Sequence, residues 1–272
     1  MASPTEKVDV FRALHVAGRP LLVPNPWDAG TAKILASLGF QALATTSSGH
    51  AATLGRLDGS VTREEALAHA GSIVAAVDVP VSADLENGFA ENPEAVFATV
   101  SDAAALGLAG CSIEDFTGRS DVPIYDIELA AERVAAAVRA AHASTGMVLT
   151  ARAENFVRGN PDLGDTIARL QAYQHAGADV LYAPGLSDLD DIRRVIASVE
   201  RPVNVLVRPG LATVPELAQA GVARISVGGA FNQVALAALA RAGRELLDHG
   251  TYEFMDLAAQ GREQLAAAFE DP

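Results

Sequence analysis

Lysine is almost missing from this chain. It stands at Lys7 and Lys33 only, and every other cationic side chain apart from histidine is arginine. A Schiff-base aldolase needs a lysine amine inside its reaction cavity. Lys33 follows "DAGTA" on the first predicted helix of the repeat and Lys7 lies in the N-terminal segment, so neither is expected to reach such a cavity and that chemistry is excluded. Cysteine is scarcer still. The single Cys111 permits no disulfide framework and no thiolate metal cluster. No apolar run approaches the ~20 residues that cross a bilayer, and the opening "MASPTEKVDVFRALHVAG" is amphipathic without an apolar signal core. A cytoplasmic protein with no membrane partner is expected. Positive charge is also short, with 20 Lys and Arg against 34 Asp and Glu, and the net charge of -14 argues against a nucleic-acid groove.

What the chain does have is a repeat. A helical stretch ends in a small residue and glycine, and an apolar strand follows: "LASLGFQALATTSS", "AALGLAGCSIED", "QHAGADVLYAP" and "AQAGVARISVG". Glycine at the end of a helix followed by a strand is the chemistry of an αβ turn. Candidate strands fall at "PLLVPN", "ALATT", "PVSAD", "GCSIED", "MVLTAR", "DVLYAP", "PVNVLV" and "RISVGG", with amphipathic helices such as "DIELAAERVAAAVRAAHA" and "DLDDIRRVIASV" between them. About eight βα units in ~250 residues predict an α/β fold of the (β/α)8 TIM-barrel type. An open doubly wound sheet fits less well, because no G-x-G-x-x-G follows the first strand. Residues 1–272 are expected to form one barrel domain, with an extra N-terminal helix at "VDVFRALHVAG" and a C-terminal helical extension at about 251–272.

In such barrels the site forms at the C-terminal ends of the strands. Those ends carry Asn25, Trp27 and Asp28; Thr45, Thr46, Ser47, Ser48 and His50; Asp84 and Glu86; Glu114 and Asp115; Arg152 and Glu154; Tyr182; Asn204 and Arg208; and Ser226, Gly228 and Gly229. Alternation along a strand puts Asp84 and Glu86 on one face and predicts the same for Ser112 and Glu114. Three acids on neighbouring strands then converge. Crowded carboxylates need compensation, which a hard cation such as Mg²⁺ provides through carboxylates and waters. Arg152, one strand on, offers a planar fork for a carboxylate or phosphoryl group. Plainer roles compete for single residues. Asp115 and Glu154 read equally as helix caps or salt-bridge partners, Trp27 as packing, His50 as a solvated loop residue, and "SVGGAF" as a tight turn rather than a phosphate cup.

Taken together, "PNPWDAGTAKILASLGFQALATTSSGHAATLGRLDG", "ADLENGFA", "SIEDFTGR", "ARAEN" and "VNVLVRPG" resemble the isocitrate lyase/phosphoenolpyruvate mutase superfamily, in family order over roughly residues 8–250. "ADLENGFA" resembles the D-x-D-x-G-[YF]-G signature with Glu86 at the second acid, and "GRLDG" the G-x-P-D loop. The resemblance implies that Asp84 binds Mg²⁺ (Mn²⁺ as a substitute) directly and that Asp58, Glu86 and Glu114 hold its waters. It further implies that Ser47, Ser48 and Gly49 receive the oxyacid group and that Arg152 binds its carboxylate, with Trp27 and Asn204 as further substrate-binding candidates. The implied reaction acts on a small 2-oxo or 2-hydroxy acid through an enolate. The implied assembly is a homodimer or homotetramer exchanging a helix between barrels.

The chain also departs from the family. Its C–C lyases carry K-[KR]-C-G-H after the fourth strand and its phosphonomutases a loop with Lys and Asn, whereas "FTGRSDVPIYD" has neither Cys nor Lys. Arg119, Tyr125, Tyr182 and His50 are the candidates for the acid/base role. Three readings follow: a C–C lyase or decarboxylase, a phosphonomutase-like or P–C hydrolase activity, and a non-catalytic oxyacid-binding protein. Cys111 does not fill the gap, since alternation places it on the helix-facing side of its strand.

Overall fold

The four glycines that close the repeated unit, Gly39, Gly107, Gly177 and Gly221, all sit at positive φ, between 83° and 100°, and each turns a helix into a strand. A computed structural model describes residues 2–269 of the chain; Met1 and the last three residues of the expected C-terminal extension lie outside the described residues. The strands are β1 (Leu21–Val23), β2 (Leu43–Ala44), β3 (Val81–Asp84), β4 (Gly110–Glu114), β5 (Val148–Arg152), β6 (Val180–Tyr182), β7 (Val203–Leu206) and β8 (Arg224–Ser226). They pair in parallel in the order β1-β8-β7-β6-β5-β4-β3-β2. The remaining gap between β1 and β2 is bridged where Ala44 N–H donates to the Pro24 carbonyl at 3.1 Å. All eight expected strands are present, and they form a nearly closed (β/α)8 barrel.

The helices are α1 (Pro4–Ala13), α2 (Ala29–Ser37), α3 (Ser47–Thr53), α4 (Arg63–Ala76), α5 (Pro93–Ala105), α6 (Ile127–Ser144), α7 (Leu163–His175), α8 (Leu189–Ser198), α9 (Val214–Gln219), α10 (Ala230–Asp248) and α11 (Met255–Phe269). Their starts follow capping chemistry. Ser3, Asp28 and Thr62 each accept at their side chain from the backbone N–H three residues on and donate their own N–H to that residue's side chain. α1 closes the bottom of the barrel. Phe11, with no exposure, and Val8 join Leu21, Val23, Ala42, Ala44, Val148 and Val180 in a lower core. This plug dictates Gly110, where a Cβ would lie 2.7 Å from the Phe11 ring and 3.0 Å from the Val148 carbonyl oxygen.

The outward-facing strand residues pack under the helices in a larger core that includes Cys111, Ile113, Leu149, Ala151 and Val205. Cys111 is therefore a small core residue, and burial pushes its thiol far above the ordinary cysteine range. Cys111→Ala is expected to leave turnover within a few-fold, and the native protein should react slowly with a thiol reagent. Rapid labelling blocked by a substrate would contradict this placement.

His15 Nδ1–H donates to the Phe11 carbonyl, 2.8 Å away. Burial, then the charge of Arg224, holds its pKa at about 4. A histidine depressed below its unfolded value binds its proton preferentially in the unfolded chain. Stability is intact above about pH 6.5 and falls as pH drops toward about 4. His15→Gln should flatten this acid branch by about 2 kcal/mol in urea titrations between pH 7 and 4.5, and an unchanged slope would contradict the assignment.

Candidate active site

β3 ends in Asp84, and the carboxylate is held from three sides. Its Oδ1 accepts from Arg152 Nη1 at 3.0 Å and from the Glu86 N–H at 3.2 Å, and its Oδ2 accepts from Ser47 Oγ at 2.9 Å. Ser47 gets there because α3, a short polar helix capped by Thr46, starts directly after β2. The Gly49 N–H is taken by Thr46 Oγ1 at 3.3 Å. Ser48 Oγ lies against Gly229 at the start of α10, where a Cβ would come within 2.6 Å of it and turn the hydroxyl away. Asn25, at the end of β1, ties the rim together: its amide donates to the Thr45 carbonyl at 3.0 Å and accepts from Val227 and Gly228 N–H at 3.0 and 2.8 Å.

On the next strands Arg152 meets two more acids. Nη2 stands 2.9 Å from Glu114 and 2.8 Å from Glu154. Arg158, on the turn after β5, stands 3.3 Å from Glu154 and 3.7 Å from Glu114. Glu86 follows β3 at φ 48° and Phe89 at φ 57°, conformations non-glycine residues rarely adopt outside functional loops. The loop is held by Arg133 of α6, which donates to the carbonyls of Asn87, Ala90 and Glu91 and, on β4, of Glu114. One buried guanidinium thus fixes the chain around Glu86 and Glu114.

These side chains line a cavity of about 280 Å³ that includes Asp58, Asp84, Arg152, Glu154, Arg158, Tyr182 and Arg224. A neighbouring recess of about 320 Å³ shares Ser47, Asp58, Arg152 and Arg158 with it and adds Glu86 and Glu114. Around the two spaces five carboxylates, Asp58, Asp84, Glu86, Glu114 and Glu154, face three guanidiniums, Arg152, Arg158 and Arg224. The excess shows in their titration. Burial, then Asp84 and Asp58, pushes Glu86 up to about 7, and its buried Oε1 has no partner. Burial raises Glu114 well above the carboxylate range against the pull of Arg152. Burial opposes the Arg152 charge, but Glu114, Glu154 and Asp84 outweigh it and keep the guanidinium protonated. Among the described residues no three His, Cys, Asp or Glu side chains are placed to grip an ion together. Mg²⁺ needs only one or two carboxylates, with waters completing its shell. The acidic excess and the orphaned Glu86 oxygen suit that kind of binding.

Of the residues singled out from sequence, Asp58, Asp84, Glu86, Glu114, Ser47, Ser48, Arg152 and Tyr182 line these two spaces. Others do not. Trp27 receives His69 Nε2 at its carbonyl, 2.9 Å away. His50 stacks on His69, with ring centroids 3.9 Å apart. Asn204 sits beneath Ser226 and donates to its Oγ at 3.0 Å. The loop after β4 folds back through a bridge between Phe116 and Ile124. That leaves Arg119 exposed beside Asp121 and buries Tyr125 under the Arg133 guanidinium, 4.2 Å from its ring centroid. Arg158, Arg133 and Arg224 were not among the candidates. Asp115 proves a buried ion-pair centre, meeting Arg169 at 3.1 Å and Tyr173 Oη at 2.6 Å.

The comparisons with known proteins bear on the fold and the family. The family model described as phosphoenolpyruvate phosphomutase matches residues 11–247. A Burkholderia cenocepacia J2315 protein assigned as a lyase/mutase has a crystal structure similar to this one, with a TM-score of 0.94 and 49% identity, covering 99% of this chain and 98% of that one. An uncharacterized protein of Mycobacterium tuberculosis is 33% identical, over 88% of this chain and 89% of its own. The 2,3-dimethylmalate lyase of Eubacterium barkeri is 30% identical, over 68% and 65% respectively. With the barrel, the acidic strand ends and the match spanning most of its length, the chain belongs to the phosphoenolpyruvate phosphomutase family, within the isocitrate lyase/phosphoenolpyruvate mutase superfamily.

Proposed function

We propose that this chain is a Mg²⁺-dependent lyase that cleaves or decarboxylates a small 2-oxo or 2-hydroxy carboxylic acid through its enolate. The observation that supports it best is the Arg152 guanidinium held among Asp84, Glu114 and Glu154 on the wall of one small cavity. Asp84 would hold the ion directly, and Asp58, Glu86 and Glu114 its waters. When bound, the ion supplies electrophilic stabilisation of the negative charge that develops on the substrate's α-oxygen.

The chain's own groups do the rest. Arg152 orients the substrate carboxylate with its planar fork. Ser48, at the N-terminus of α3, offers its hydroxyl to the oxyacid group, while Ser47, whose hydroxyl donates to Asp84, holds that carboxylate beside it. Tyr182 lines the cavity and keeps its proton at Oη, since burial pushes its pKa up to about 12, and in this reading it is the acid that protonates the enolate carbon. Its ring lies 5.3 Å from the Arg152 guanidinium carbon. The name of the Eubacterium barkeri relative supports C–C cleavage. Turnover of a panel of 2-oxo and 2-hydroxy diacids with Mg²⁺ tests the reading. Turnover of phosphonopyruvate alone would favour P–C chemistry. Oxalate binding without any turnover would favour an oxyacid-binding protein.

The assembly proposed with this function is at least a dimer. α10 buries only Asn232 and exposes Val234, Leu239 and Leu247 at 68%, 70% and 85%, a face that water covers poorly. Light scattering at micromolar concentration should give at least twice 28.1 kDa. A monomer would contradict it.

A further inference from the structure

β8 begins with an arginine that the proposed reaction does not use. Arg224 is 4% exposed and shares the inner face of its strand with Ser226. Its Nη1 donates across the barrel to Thr150 Oγ1 at 3.0 Å, and its buried Nε has no acceptor. Among the described residues no carboxylate pairs with it, and Asp84 and Glu154, which line the same cavity, pair with Arg152 instead. Its other neighbours carry no negative charge. The Phe11 ring of the barrel plug is 5.9 Å from the guanidinium carbon, and Tyr182 keeps its proton. Burial lowers the Arg224 pKa to about 10, so the group remains charged at neutral pH. The charge is felt nearby, for it helps to keep His15 neutral.

A buried guanidinium with an idle N–H and no counter-ion is costly. Here it lines the floor of the cavity, together with Ser82, Ser112, Ser226 and Tyr182. We propose that Arg224 forms an anion subsite below the strand-end acids, taking one small monovalent anionic group, a carboxylate or a halide, against its guanidinium. The hydroxyls of Ser82, Ser112 and Ser226 supply donors of the kind that complete such a shell. Because the same cavity also contains Asp84 and Arg152, a second carboxylate of a diacid held above has a route to Arg224, and so does a free halide. The inference rests on the uncompensated cation and not on metal binding at Asp84.

The test is made without Mg²⁺, so that failure of the metal reading leaves it intact. Wild type and Arg224→Met are unfolded thermally in sodium bromide and, at equal ionic strength, in sodium sulfate, whose divalent anion is not of the class the subsite takes, and the difference between the two proteins removes the general effect of each salt. Halide at about tenfold excess over Kd should raise the wild-type midpoint by about 3 °C and leave Arg224→Met unmoved. Wild-type crystals soaked in bromide should show an anomalous peak beside the Arg224 guanidinium. Where the natural occupant is a substrate carboxylate, halide should also compete with short dicarboxylates, and Arg224→Met should weaken them by about 10- to 100-fold while sparing monocarboxylates. Equal halide responses in the two proteins together with no bromide peak would overturn the subsite. If Arg224→Met fails to fold, the wild-type bromide crystal decides alone.

Discussion

Replacing Asp84 by alanine should lower Mg²⁺-dependent turnover by about 10³-fold or more, and calorimetric binding of Mg²⁺ with oxalate should fall below detection. The expectation follows from where the carboxylate sits. Ser47 and Arg152 fix both of its oxygens, at 2.9 and 3.0 Å, so it is presented in one orientation at the end of β3. Glu86 is attached to the same spot through its N–H, 3.2 Å from Asp84 Oδ1, but its side chain faces the neighbouring recess. A group acting through water loses less when removed, so Glu86→Gln should weaken binding by about 10- to 100-fold. Asp84→Asn is the control for folding, because an amide can still accept from Ser47 while lacking the charge. Unchanged affinity in Asp84→Ala would end the metal reading, whatever the activity of the wild type.

Much of the barrel could be read from the chain because its strands are short apolar runs, and the helices before β2, β4, β6 and β8 end in glycine, at Gly39, Gly107, Gly177 and Gly221, so that the pattern repeats. The strand-end acids were readable for the same reason. Once β3 and β4 are placed, alternation aims Asp84 and Glu114 inward without further information. Elements without apolar periodicity were harder. α3 is "SSGHAAT", a polar stretch that reads as loop, and only the Thr46 cap hints at a helix. Arg119 and Tyr125 lie on a loop whose path is set by the bridge between Phe116 and Ile124 and by Arg133 reaching over from α6, contacts that no local pattern encodes. Arg158 joins the site through the irregular turn after β5, 3.3 Å from Glu154. Arg224 did leave a signal. It lies two residues before the inward-facing Ser226, so alternation alone would have put it inside the barrel, where an arginine has to be explained.

Arg152 carries the second large expected effect, and it can be read from stability as well as from binding. Three carboxylates, Asp84, Glu114 and Glu154, lie within 3.0 Å of its guanidinium, and the side chains of the two glutamates are only 6% and 1% exposed. Removing one partner of a buried pair leaves the other uncompensated, which costs about 3–5 kcal/mol. Arg152→Met should therefore destabilise the metal-free protein by about that amount at pH 8. The sign of its pH dependence follows. Without Arg152, Glu114 binds its proton more tightly in the folded than in the unfolded chain, since burial already raises it and the opposing pull of Arg152 is gone. The penalty is then full above the raised folded pKa and disappears as pH falls below the unfolded carboxylate range. The deficit of Arg152→Met relative to wild type should shrink steadily in urea titrations from pH 8 to pH 5. Arg152→Lys, which keeps the charge but not the planar fork, should recover most of the stability and little of the affinity for oxalate, because one ammonium cannot serve three carboxylates and a two-oxygen ligand in the same geometry. A deficit that does not change with pH would show that Arg152 acts by packing alone. Full oxalate affinity in Arg152→Lys would show that its charge, and not its shape, holds the substrate.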